Sequence, residues 1–215
     1  MPAPWTPTPH SVVVALVRHG RTAWNAERRF LGRSDIPLDA CGEAQVQALG
    51  ATFPTRFHKV YTSPLSRARA TARVLDASPH VLEDVVEMSQ GELEGKGRAE
   101  LTSDHAAFFA RWLADSAETA PPGGESLVAT RDRALPALIN VAKQQPMGNV
   151  IAVVSHQMVI ASVSCTIAND ALSNWRDYGI PNASVTWLAW DGSAFSLLER
   201  AWRTPEVAAI ESEGL

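Results

Sequence analysis

Residues 12–20 read Val-Val-Val-Ala-Leu-Val-Arg-His-Gly, an apolar run that ends in a cation, an imidazole and a glycine. Consecutive β-favouring and small apolar residues are typical of a strand buried on both faces of a parallel sheet. Open α/β sheets bind ligands at the carboxyl ends of such strands, and this is the position of Arg18 and His19. Arginine offers phosphate oxygens a fixed fork of donors, and an imidazole nitrogen can attack phosphorus. The junction therefore predicts an anion site with phosphorus chemistry.

Apolar runs and amphipathic stretches alternate along the rest of the chain. Further strands are predicted at 59–62, 150–155, 184–190 and 195–202, and helices at 41–52, 66–76, 98–114, 125–145 and 157–167. Pro136 lies inside the fourth of these helices and predicts a bend or two shorter helices. The alternation predicts an α/β three-layer sandwich, with a mostly parallel central sheet and helices on both faces. Asp191-Gly192 is a hairpin signal and predicts an antiparallel edge strand.

The bulk properties are those of an ordinary globular enzyme. The chain has 215 residues, a hydrophobic content of 46% and a net charge of −4, which predicts one domain over 1–215 with flexible tails at 1–10 and 204–215. The charge favours neither nucleic acid nor a membrane surface as a partner. Cys41 and Cys165 are too few for a disulfide framework. We expect a cytoplasmic monomer or homodimer.

Further motifs follow the first junction in a fixed order. They are Arg21-Thr22-Ala23-Trp24-Asn25, Thr62-Ser63-Pro64-Leu65-Ser66-Arg67-Ala68, Glu87 with Gly91 and Leu93-Glu94-Gly95, Gly123-Gly124-Glu125-Ser126-Leu127, and Val153-Val154-Ser155-His156. Together they resemble the histidine phosphatase superfamily, also called the phosphoglycerate mutase-like family, and specifically its short phosphatase-type members. The resemblance extends from about Val12 to Trp190.

The resemblance implies a role for each matching residue. His19 is the nucleophile that becomes phosphohistidine, Arg18, Arg67 and His156 surround the transferring phosphoryl group, and Glu87 is the general acid and base. Glu87 is chosen among its acidic neighbours for its spacing to Gly91 and Gly95. The residues expected to bind phosphate or substrate are Asn25, Leu31, Gly32 and Gln157. Gln157 stands where the family usually has glycine. No metal and no cofactor are implied, because the arginines and histidines supply the positive charge.

Three functions remain open from the sequence. The first is a phosphomonoester hydrolase acting on a small phosphorylated metabolite. The second is a phosphoglycerate mutase-type isomerase, which would need a 2,3-bisphosphoglycerate-type primer, and the third is an inactive protein that binds a phosphorylated ligand. The longer mutases carry an extra basic stretch, whereas residues 97–122 here offer Arg98 and Arg111 as cations. This favours the hydrolase.

The rim of the site is predicted to be partly apolar, which favours a substrate with a nonpolar portion. The rim residues that indicate this are Leu31, Met88, Phe108, Phe109 and Met158, which could equally be core residues. The tryptophans at 112, 175, 187, 190 and 202 are predicted to be packing residues and not a binding cage.

Overall fold

The computed structural model describes residues 8–53, 56–101 and 105–212, and their strands form one mixed sheet. The strands are β1 (Val12–Arg18), β2 (Lys59–Thr62), β3 (His80–Val81), β4 (Val150–Ser155), β5 (Val185–Trp190) and β6 (Phe195–Trp202). Their order across the sheet is β3-β2-β4-β1-β5-β6. The first four in this order are parallel, whereas β5 is antiparallel to β1 and β6 is antiparallel to β5. The mostly parallel sheet with an antiparallel edge is confirmed.

Helices cover both faces of this sheet. They are α1 (Ala23–Ala26), α2 (Ala40–Thr52), α3 (Ser66–Arg73), α4 (Ala106–Ala114), α5 (Leu127–Lys143), α6 (Gln157–Ile167) and α7 (Pro205–Ser212). Short 3-10 segments occupy Glu83–Val85, Gly91–Leu93, Arg98–Glu100 and Leu172–Tyr178. The side chains of Asp39 and Ser126 accept hydrogen bonds from the first turns of α2 and α5, so both helices begin at a side-chain cap.

Strand β1 is buried on both faces, as its apolar run predicts. Val12, Val14 and Leu16 belong to the core that also contains residues of α5 and α6. Val13, Ala15 and Val17 belong to the opposite core, with residues of α2, α3 and α7. Successive side chains of a strand point to opposite faces, so the strand fills two apolar layers at once. The three-layer sandwich follows from this division.

Three local features refine or differ from the sequence prediction. Helix α5 runs without a break from Leu127 to Lys143 although Pro136 lies inside it, so two shorter helices, one of the two alternatives predicted there, are excluded. The helix predicted at 98–114 is present as a 3-10 turn at Arg98–Glu100 and as α4, with 102–104 outside the described residues. Strand β3 was not predicted, because it has two residues and both are exposed.

The carboxyl-terminal segment also differs from the expected flexible tail. Residues Pro205–Ser212 form α7, and Val207 is fully buried in the core that contains Leu49 of α2. Thr204 and Thr52 are joined by a hydrogen bond between their hydroxyls of 2.9 Å. The structure leaves 213–215 and residues 1–7 of the predicted amino-terminal tail undescribed. In the described part of the chain, no helix is both long enough and apolar enough to span a membrane.

We expect Val207→Asp to lower the free energy of unfolding by about 2 kcal/mol or more, because it places an unpaired carboxylate in a closed apolar layer. Urea unfolding at neutral pH measures the change. Ala209→Asp is the matched control, since residue 209 is exposed on the same helix. Equal unfolding midpoints for the two variants would contradict the docking of α7.

Candidate active site

The carboxyl ends of three adjacent parallel strands bring the two motif histidines together. Arg18 at the end of β1 pairs in register with Ser155 at the end of β4, so His19 and His156 emerge side by side. Their ring centroids lie 5.1 Å apart. Strand β2 adds Ser63 next to them, because the Ser63 N–H donates to the Val154 carbonyl. The sequence prediction of a site at this sheet edge thus has a direct geometric basis.

His19 is held in the form that a nucleophile requires. Its Nδ1 lies 2.7 Å from the Gly20 carbonyl oxygen, so Nδ1 carries the proton and the Nε2 lone pair is free. Burial, followed by the nearby charges of Arg67 and Arg18, lowers the pKa of His19 well below its ordinary value. The ring is therefore neutral at neutral pH.

Arg67 is fully buried in the first turn of α3 and is held by backbone carbonyls. Its Nη1 donates to the Ser34 carbonyl at 2.9 Å and its Nη2 to the Gly32 carbonyl at 2.7 Å. Its Nε is buried and has no hydrogen-bond partner among the described residues. Arg18 is fixed in a similar way, since its Nη1 donates to the Ile180 carbonyl. Both guanidinium groups are thus set in place before any ligand arrives.

His156 is fully buried and is oriented by Ser63. The distance from His156 Nε2 to Ser63 Oγ is 2.7 Å, whereas His156 Nδ1 is buried without a partner among the described residues. Burial, followed by the positive charges of Arg67 and Arg18, lowers the pKa of His156 well below its ordinary value. A neutral ring that accepts from the Ser63 hydroxyl at Nε2 carries its proton on Nδ1.

Glu87 follows the 3-10 turn Glu83–Val85 and faces the start of α6. Its carboxylate accepts from the Met88 N–H at 2.8 Å and from the Met158 N–H at 3.2 Å. Burial raises the pKa of Glu87, and this effect outweighs the opposing effects of the two backbone N–H groups and of Arg67 and Arg18. This glutamate therefore holds a proton at higher pH than an exposed one.

The residues predicted to bind substrate occupy different positions around this cluster. Asn25 uses its amide oxygen locally, accepting from the Thr22 hydroxyl at 3.0 Å. Gly32 offers its carbonyl to Arg67, and a Cβ at this position would lie 2.3 Å from Glu94 Oε1. Leu31 is half-buried beside Gly32. The Gln157 side chain lies against Gly179, where an added Cβ would be 2.7 Å from its Nε2.

Two positioning residues carry no separate signal in the sequence. Ser63 is part of the motif before Arg67, but only the structure shows its contact with His156. Asn182 Nδ2 donates to the His19 carbonyl at 3.1 Å and approaches Asn25 Oδ1 at 3.3 Å. Asn182 precedes β5, so nothing in its local pattern indicates that it reaches the end of β1.

Glu94 fixes the loop that supports Arg67. Its carboxylate accepts from the backbone N–H groups of Arg33 at 2.8 Å and Ser34 at 2.6 Å, and from the Ser34 hydroxyl. Burial alone would raise the pKa of Glu94, but these hydrogen bonds and one from Gln90 lower it. Within the described residues, neither this site nor any other place groups three His, Cys, Asp or Glu side chains so that they could hold a metal ion.

A comparison of the sequence with protein families agrees with this site, which consists of two buried histidines, two arginines and a glutamate. The model of the histidine phosphatase superfamily (branch 1) matches residues 14–203. The chain belongs to this superfamily. A solved structure of a mycobacterial glucosyl-3-phosphoglycerate phosphatase has 25% sequence identity and a TM-score of 0.80, and the match covers 90% of this chain and 100% of that one.

Curated relatives carry the names of mutases. The 2,3-bisphosphoglycerate-dependent phosphoglycerate mutase 2 of Gloeobacter violaceus is 38% identical over 57% of this chain, and the match spans 60% of that protein's length. The "Probable phosphoglycerate mutase GpmB" of Salmonella choleraesuis is 32% identical over 80% of this chain and 82% of its own. The proteins to which this chain is similar therefore include both phosphatases and mutase-like proteins.

We expect Glu94→Gln to lower the free energy of unfolding by about 1–2 kcal/mol at pH 7, because an amide accepts these hydrogen bonds less well than a carboxylate. The folded-state pKa of Glu94 is lowered, so its stabilising effect is present above the unfolded-state pKa and is lost as the pH falls through the folded-state value. Urea unfolding at several pH values should show the difference from the wild type shrinking at acidic pH.

Glu92→Gln is the matched control, since Glu92 is exposed in the 3-10 segment Gly91–Leu93 that ends directly before Glu94. A difference between Glu94→Gln and the wild type that stays constant down to acidic pH would contradict the assignment.

Proposed function

We propose that this protein is a phosphomonoester hydrolase that works through a phosphohistidine on His19 and acts on a small phosphorylated metabolite. The observation that carries the proposal is a pair of buried nitrogens, Arg67 Nε and His156 Nδ1, which lack partners among the described residues beside the His19 ring. Buried polar atoms without partners are costly. Oxygens of a bound phosphoryl group would satisfy both.

In the first chemical step, His19 Nε2 attacks phosphorus. The bond between Nε2 and phosphorus forms as the bond between phosphorus and the ester oxygen breaks. Arg18 and Arg67 offset the negative charge on the remaining oxygens, and His156 Nδ1 donates a hydrogen bond to one of them; such stabilisation is the main requirement of phosphoryl transfer. Glu87 gives its proton to the departing oxygen, so the product leaves as an alcohol.

In the second step, water attacks the phosphorus of phosphohistidine. Glu87, now a carboxylate, takes a proton from that water, the bond between phosphorus and Nε2 breaks, and orthophosphate leaves. The histidine and the protonated glutamate are restored. Two displacements replace one difficult step. The two guanidinium groups provide fixed positive charge at the phosphoryl group, so we propose that no metal or organic cofactor takes part.

We expect His19→Ala to lower hydrolysis of p-nitrophenyl phosphate by at least about 1,000-fold, because the nitrogen that accepts the phosphoryl group is removed. The assay measures nitrophenolate release by purified protein with excess chelator. His10→Ala is the control, since His10 is exposed and precedes β1, whereas His19 follows the opposite end of that strand. Chelator-sensitive release, or release that persists in His19→Ala, would refute the mechanism.

We expect Glu87→Gln to lower kcat/KM by about 100-fold or more for an alkyl phosphate, and much less for p-nitrophenyl phosphate. This ratio reports the formation of phosphohistidine and not the later attack of water, in which Glu87 acts as the base for both substrates. Nitrophenolate leaves without a proton, whereas an alkoxide needs one. The raised pKa of Glu87 places the alkaline limb of the wild-type profile above the range of an exposed glutamate, since activity falls as Glu87 loses its proton. Glu87→Gln should lack that limb, and equal losses on both substrates would argue against Glu87 as the acid.

The mutase is the second candidate, and the names of the Gloeobacter and Salmonella relatives favour it. The same preparation separates the two when it is given 3-phosphoglycerate with a catalytic amount of its bisphosphate. Phosphorus NMR measures the products. Formation of 2-phosphoglycerate would favour the mutase, and formation of orthophosphate alone would favour the hydrolase.

A further inference from the structure

An apolar cavity of about 590 Å³ has Met88, the residue that follows Glu87, in its wall. Its wall includes the side chains of Met88, Phe108, Phe109, Trp112, Met158 and Trp175. Met88, Phe108, Phe109 and Met158 were predicted at the rim from the sequence. Trp112 and Trp175 were predicted to be packing residues, and they both pack with this group and line the cavity.

Two backbone contacts join the apolar cavity to the catalytic acid. The N–H groups of Met88 and Met158 donate to the Glu87 carboxylate, and the side chains of the same two residues form part of the cavity wall. Under the proposed mechanism Glu87 gives its proton to the departing oxygen. In that mechanism, the group attached to the departing oxygen would extend from Glu87 toward the wall that Met88 and Met158 form.

The composition of the wall selects the kind of group that fits. Aromatic and thioether side chains dominate it, and Arg176 is the charged residue among the described lining. The Arg176 guanidinium is stacked 4.8 Å from the Trp175 ring centroid, and its residue is exposed. A concave apolar site of this size is typical of a small-molecule pocket. A small polar alcohol would leave most of the apolar surface of the cavity in contact with water.

Trp175 adds a second sign that the apolar cavity accepts a ligand. Its Nε1 is buried and has no hydrogen-bond partner within the described ranges. Indole N–H groups that are buried usually find an acceptor. One acceptor atom on an otherwise apolar ligand would satisfy it.

Building on the proposed hydrolase function, we propose that the substrate is a phosphomonoester of a bulky hydrocarbon alcohol, whose apolar body fills this cavity while its phosphoryl group faces His19. The cavity is thus the determinant of specificity for the leaving alcohol, and the arginines and histidines are the determinant of phosphate recognition.

The test measures binding without relying on turnover. Ethyl-, butyl- and hexylphosphonate carry the same headgroup and a carbon–phosphorus bond that this mechanism cannot cleave. Isothermal titration calorimetry with the wild-type protein should show Kd falling about fourfold for each methylene buried. Equal Kd values for the three phosphonates would overturn the proposal, whether or not the protein hydrolyses p-nitrophenyl phosphate.

Variants locate the effect. Phe109→Ser should reduce the ratio of ethyl to hexyl Kd about tenfold, because it removes apolar surface from the wall. Phe195→Ser is the matched control, since Phe195 is also half-buried but lies in β6 and does not line the cavity. A ratio that is unchanged in Phe109→Ser, or reduced equally in the control, would overturn the proposal.

A further variant guards against misfolding of Phe109→Ser. Leu113 lines the same cavity but is 78% exposed, so Leu113→Ser should fold normally and give a smaller reduction in the Kd ratio. Chain-length-dependent binding without any hydrolysis would support the apolar cavity and refute the hydrolase. Hydrolysis without any dependence of binding on chain length would support the hydrolase and refute the role of the apolar cavity.

Discussion

The site depends on a buried positive charge that the backbone, and not a carboxylate, holds in place. Arg67 is fully buried, and two carbonyl oxygens of the 32–34 loop accept from its terminal nitrogens. Burying an ion is costly unless its donors are satisfied. The loop is in turn fixed by the Glu94 carboxylate. The guanidinium is therefore rigid but only partly neutralised, and it stays attractive to an anion.

Burial also explains why the pKa values of His19 and Glu87 shift in opposite directions within one site. Desolvation lowers the pKa of His19 and raises that of Glu87, because it disfavours the charged form of each. The two arginines lower both pKa values, so they assist the effect on the histidine and oppose the effect on the glutamate. A bound phosphoryl dianion would offset the arginines, and would thus raise the pKa of Glu87 further. In the proposed mechanism, ligand binding would thus itself favour the proton on Glu87 that the leaving group needs.

The sequence predicted what depends on local pattern and missed what depends on distant partners. Buried strands are long apolar runs, so β1, β4 and the meeting of His19 with His156 could be foreseen from parallel strand ends. Asn182 was missed, because its partners lie more than 150 residues away along the chain. Helix α7 was missed because a single buried valine docks an otherwise acidic segment. Pro136 is tolerated because flanking Ala134 and Leu138 are buried in the core, and this packing outweighs one missing N–H.

The two ends of the proposed ligand are recognised by structurally different means. Phosphate recognition rests on strand ends and on backbone hydrogen bonds, which cannot change without disturbing the sheet. The apolar cavity rests on side chains of α4 and of the Leu172–Tyr178 segment, which stand outside the sheet. Substitutions there alter the shape of the alcohol pocket without touching the reacting atoms. Gln157 lies where the two parts meet, since it begins α6 and packs against Gly179. Under the proposed function, substitutions at Gln157 would therefore affect the fit of the alcohol more than the attack on phosphorus.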